Sequence, residues 1–99
     1  MSDAATVERL FALALQIHRA AKELHDAAAS GNQQEARKIL ASFRAIKSEP
    51  KHLLTQLDAT SATYAYGQDA YRQAVLAFQW SESACVATFA QPMSDDLYD

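Results

Sequence analysis

The stretch Ala27-Ala28-Ala29-Ser30-Gly31-Asn32-Gln33-Gln34-Glu35-Ala36 decides the fold, because it holds a helix end and a helix start with almost nothing between them. Gly31 follows a run of strong helix formers and can take the left-handed conformation that closes many helix C-termini. Asn32 and Glu35 then have the spacing of a capping box, in which Asn32 caps the first turn and Glu35 reaches back. So short a linker predicts that the two flanking helices fold against each other as an antiparallel hairpin.

Working toward the N-terminus, Val7, Leu10, Phe11, Ala14, Ile17, Ala21, Leu24 and Ala28 recur at the spacing of one helix face. They predict a first helix over about residues 4–30, with Ser2 or Asp3 at its cap. Working the other way, Ala36, Ile39, Leu40, Phe43 and Ile46 form the buried stripe of a second helix. Pro50 lacks a backbone N–H and disfavours helical geometry at Glu49, so the second helix should stop near Ser48. Proline is accepted in a first turn, so Ser48 is expected to cap a third helix beginning at Glu49.

Beyond that point Leu53, Leu54, Leu57, Ser61, Tyr64, Gln68, Tyr71, Val75, Phe78, Glu82, Cys85 and Phe89 alternate in steps of three and four. One long helix would satisfy this spacing. Thr60-Ser61-Ala62-Thr63 is poor in helix formers, and Gly67 disfavours a helix by about 1 kcal/mol relative to alanine. A break or kink within 60–67 is therefore expected. Pro92 should end the last helix, leaving 92–99 as an acidic tail on a single domain over 1–91. The fold class that follows is all-α: an antiparallel bundle of three or four helices.

Composition supports this class. Of 99 residues, two are Gly and two are Pro, and no segment alternates like a strand. A 49% hydrophobic content with 21% charged side chains is that of a globular chain, not a disordered one. The single Cys85 cannot make an internal disulfide, no run is long and apolar enough to span a membrane, and Met1-Ser2-Asp3 does not open a secretory leader. A cytoplasmic setting is expected. A core of this size is modest, which favours a homodimer.

On a helical wheel the last helix puts Phe78, Tyr64, Tyr71, Ala74, Cys85 and Phe89 on one side. Trp80, Leu76, Ala87 and Tyr66 lie on the other, among the polar Asp69, Gln73 and Ser83. A surface helix of a monomer should be polar on one side. The second apolar face has three explanations: a central helix with neighbours all round, a homodimer seam, or a binding patch for another protein. Trp and Tyr favour the interface readings, because they bury much area with few rotors.

Charge is uneven. Residues 31–52 carry five basic side chains against two acidic ones, while 53–99 carry one against six. Arg37, Arg44 and Lys51 are spaced by seven and form a basic stripe on helix two. Such a stripe can steer an acidic partner. Nucleic-acid binding through it is an alternative, opposed by an acidic sequence pI of about 5.5 and by the tight turn at Gly31.

For chemistry, Glu49 and His52 form one Glu-x-x-His unit, and His18 and His25 lie seven apart on helix one. A helical bundle assembled on dimerisation could use these four as metal ligands. The arrangement has a single copy and spans Pro50, so no metal or other cofactor is expected. His18 with Lys22 one turn later is a poor match to a phosphotransfer helix, since no small-residue run follows to admit a docking partner. Cys85 falls on the core face, where a thiol behaves as a small hydrophobe. No phosphate-binding loop is present. The expectation is a non-enzymatic protein–protein interaction module, a small regulator, chaperone or inhibitor. It would use Trp80, Leu76, Tyr66 and Gln73 as contacts, with Arg37, Arg44 and Lys51 for steering.

Overall fold

A computed structural model describes residues 3–89, which fold into α1 (Asp3–Ser30), α2 (Gln33–Ile46), α3 (Ser48–Leu54) and α4 (Ala62–Phe89). The expected tail at 92–99 lies outside the described residues. At 28 residues, α1 should run about 42 Å, which matches the 43 Å long dimension of the described molecule. It is the spine on which the other helices lie.

The turn after α1 forms as its sequence dictates. Gly31 has φ of +72°, its N–H donates to the Ala28 carbonyl (3.2 Å), and the Asn32 N–H donates to the Ala27 carbonyl (2.9 Å). These two bonds make a Schellman motif. Asn32 Oδ1 then accepts from the Glu35 N–H at 3.1 Å, capping α2. The return half of the capping box is replaced. Because the Asn32 N–H already serves Ala27, the Glu35 carboxylate is turned instead toward Lys38 Nζ, 4.0 Å away.

The second leg is bent. Lys47 stays in right-handed helical geometry (φ −64°, ψ −25°), and its N–H still bonds the Phe43 carbonyl at 2.9 Å. Pro50, buried in the first turn of α3, supplies no N–H to continue the ladder. The expected cap at Ser48 does not form: Ser48 is itself helical, and Lys47 precedes it without a side-chain cap bond. So α2 and α3 make one kinked return leg.

The break before α4 falls at 55–61, touching only the front edge of the expected 60–67. Its cause is side-chain capping, which outweighs the local helix propensities. Asp58 Oδ1 accepts from the Thr60 N–H (2.9 Å) and hydroxyl (2.8 Å), and Ser61 Oγ accepts from the Tyr64 N–H (3.1 Å). Ser61 is thus the α4 cap and not a core position. The two bonds from Thr60 lower the Asp58 pKa. Its contribution to stability is therefore complete above the ordinary carboxylate value and is lost as pH falls through the lowered one. Ser61→Ala should lower stability by about 1 kcal/mol, read by calorimetry as a melting point down by roughly 4–8 °C. An unchanged melting point would mean that Asp58 sets the corner alone.

Gly67, expected to help break the helix, lies well inside α4. A Cβ there would stand 3.0 Å from Leu10 Cδ1 and 3.6 Å from Leu54 Cδ2. The glycine permits close approach at the cost of some helix propensity.

The core has two parts. Ala14, Ile17, Ala21, Leu24, Ala27 and Ala28 of α1 meet Ala36, Ile39, Leu40 and Phe43 of α2 and Ala74, Phe78 and Cys85 of α4. Below it, Leu10 and Leu13 meet Leu53, Leu54 and Leu57. Leu13, absent from the predicted stripe, is fully buried, whereas Phe11, included in it, is 45% exposed. The reason is that α1 is buried along a stripe set by two neighbours, and Phe11 falls just outside it.

The α1–α2 hairpin forms, but α4 is the main partner of α1. Leu10 lies against Gly67, and the Cys85 thiol lies 3.6 Å from the Leu24 carbonyl, so α4 runs parallel to α1. Small residues on both helices (Ala14, Ala21 and Ala28; Gly67, Ala70, Ala74, Ala77 and Ser81) let the two backbones approach. Consecutive legs are antiparallel, and the first and third are parallel.

Candidate interaction surface

Helical phase sets the outer surface of the α1/α4 pair. The edge of α1 near α2 carries Gln16, Ala20 and Glu23, which border a depression shared with Ser42, Phe43 and Ile46. The opposite edge carries Phe11, Leu15 and Lys22, one row outside Ala14 and Ala21. On α4, Tyr66, Gln73 and Trp80 lie one row outside Ala70, Ala77 and Ala84, which are half-buried against the core. The two outer rows therefore flank the same groove between parallel helices.

This surface is apolar and open. Trp80 is 79% exposed, Tyr66 69%, Leu15 51%, Phe11 45% and Leu76 44%. Trp80 borders a shallow depression with Gln79 and Ser83. The central-helix explanation of Trp80 is thereby overturned: nothing among the described residues covers it. The four expected contacts Trp80, Leu76, Tyr66 and Gln73 all lie on one exposed side of α4. Phe11 and Leu15 were missed. A wheel of α1 assigns Phe11 to either side, and only the position of α4 shows which edge is left bare.

The basic residues are arranged differently from the predicted stripe. Arg37 and Arg44 border a depression on α2 with Leu40 and Ala41. Lys51 lies past the kink, bordering another with Leu54, Thr55, Leu57, Ala59 and Tyr64. The stripe is split between two helices, and the adjacent Lys38 is turned toward Glu35.

The four candidate metal ligands are not brought together. Glu49 is held by Arg9 in a two-pronged pair, Nη2 to Oε2 at 2.9 Å and Nε to Oε1 at 3.2 Å, tying α3 to α1. That bond raises the Arg9 pKa. His18, His25 and His52 are exposed on α1 and α3, and among the described residues no three His, Cys, Asp or Glu side chains converge. Cys85 is fully buried. Burial, then the Glu82 charge, pushes its thiol pKa up, which disfavours the nucleophilic thiolate. Among the described residues no helix is long and apolar enough to cross a membrane.

The chain matches no protein-family model, and no significant match to it is found among curated proteins or solved structures.

Proposed function

We propose that the protein is a non-enzymatic protein–protein interaction module whose binding surface is the outer α1/α4 face. The observation that carries this is Trp80, 79% exposed in the middle of a helix whose other side is core. A tryptophan left in water forgoes roughly 1.5–3 kcal/mol or more of burial. Here Tyr66, Leu76, Phe11 and Leu15 are exposed on the same side. Clustered aromatic and aliphatic anchors of this kind concentrate binding energy at interfaces. The protein acts by occupancy, as a regulator, chaperone or inhibitor that covers another surface. Arg37, Arg44 and Lys51 lie on other helices, where they steer an acidic partner without forming the apolar contact.

The test places a photo-crosslinking amino acid at position 80 and, separately, at position 37, in cells that make the protein. A discrete adduct from position 80, lost when Leu76 and Phe11 are both changed to serine, is expected. Adducts from position 37 with none from position 80 would sink the assignment. Trp80→Ser should leave stability within about 0.5 kcal/mol, as exposed substitutions do; a larger loss in chemical denaturation would mean that Trp80 serves the fold.

A further inference from the structure

We infer that the α1/α4 face is covered by a second copy of this chain, laid antiparallel about a two-fold axis that crosses the face at Leu15 and Gln73. This rests on the preceding reading of the face as an interface and names its occupant.

The heights of the two helices are fixed by two contacts, Leu10 with Gly67 and the Leu24 carbonyl with Cys85. Interpolating between them sets Leu15 level with Gln73. On α1, Glu8 precedes Leu15 by two turns and Lys22 follows it by two turns. On α4, Tyr66 and Trp80 stand in the same relation to Gln73. A two-fold rotation at that height lays Lys22 of the second copy over Glu8 and Trp80 of the second copy over Tyr66. Both pairings occur twice, each roughly 10 Å from the axis. Leu15 meets its own copy at the centre, as does Gln73, and Leu76 falls over the small Ala70.

The charges select this arrangement. Glu8 and Lys22 are both exposed, and neither makes an ion pair within the described residues. The charges nearest the centre, Asp69 and Arg72, are compensated within the chain at 3.9 Å. A parallel pairing would set α1 over α4 of the copy, putting Lys22 against Trp80 but Glu8 against Tyr66, an anion on the negative face of a ring, and leaving the two charges without each other. The antiparallel pairing matches cation to anion and ring to ring. A two-fold interface must be self-complementary in this way.

The test measures solution mass and the dimer dissociation constant by light scattering and sedimentation on the full chain, with circular dichroism to confirm folding. Both charged positions are exposed, so the variants fold. Glu8→Lys sets like charges together twice per dimer and should raise the dissociation constant about tenfold or more. Lys22→Glu should do the same, and the double variant Glu8→Lys/Lys22→Glu should return it to within about threefold of wild type. A wild-type dimer indifferent to both single changes overturns the register. A wild type that stays monomeric into the millimolar range overturns the second copy as occupant. In that case an adduct from position 80 heavier or lighter than two chains leaves the interface reading standing, and absence of any such adduct fails both.

Discussion

Replacing Phe78 by alanine should remove about 3–5 kcal/mol of stability, the range for truncating a fully buried aromatic. The Phe78 ring stacks on Phe43, with centroids 4.1 Å apart and planes inclined by 16°. Both side chains are at most 1% exposed. Here α2 and α4 meet through large side chains, so the neighbours cannot close over the void without moving a helix. A domain of this size has only about 5–15 kcal/mol in total. The melting point should fall by roughly 15–30 °C. Urea denaturation at fixed protein concentration checks this, since a dimer's stability depends on concentration. A loss below about 1 kcal/mol would mean that α2 and α4 are not packed through this stack. A double-mutant cycle with Phe43→Leu and Phe78→Leu should return a coupling of about 0.5–1.5 kcal/mol.

Gly67→Val should be the second most damaging change, at about 1–3 kcal/mol of overpacking. The added Cβ would already stand 3.0 Å from Leu10 Cδ1, and the two further methyls would press toward Leu54 and Leu57. Gly67→Ala is the informative control. It gains about 1 kcal/mol of helix propensity and asks only the flexible tip of Leu10 to move, so it should lie within about 1 kcal/mol of wild type. Leu10→Ala in the Gly67→Val background should recover part of the loss by returning volume. Thermal melts of wild type and these three variants decide the matter: if Gly67→Val is as stable as Gly67→Ala, α1 and α4 are not in close approach there.

What the sequence made legible were features encoded by neighbours along the chain. Gly31 and Asn32 mark a reversal because the left-handed residue and the cap are local devices, and α2's stripe is legible because α2 is short and buries one face only. Errors arose where two or more neighbours compete. Gly67 read as a helix breaker because its value is spatial: it accommodates Leu10, fifty-seven positions away. Ser61 fitted a three-four stripe equally well as a core residue or as a cap. Its hydroxyl's bond to the Tyr64 amide decided the matter. For the surface, the apolar second face of α4 was visible on a wheel, since Trp80 and Leu76 lie opposite Phe78. The contribution of Phe11 and Leu15 was not, because it depends on which side of α1 the parallel α4 occupies. The metal reading rested on spacing alone, and Arg9 had a prior claim on Glu49 that spacing could not reveal.

The parallel pairing of α1 with α4 also dictates the order in which the chain acquires structure. Contacts between α1 and α2 are close in sequence and can form early. The principal contacts join α1 to α4, as at Leu10 with Gly67 and Leu24 with Cys85, so their closure must wait for a long loop and for its entropy to be overcome. During synthesis from the N-terminus, the alanine face of α1 has no α4 to cover it until the last third of the chain has emerged. The hairpin of α1 and α2 is then an apolar half-bundle, and α4 acts as the late-arriving strut that converts it into a cooperative fold.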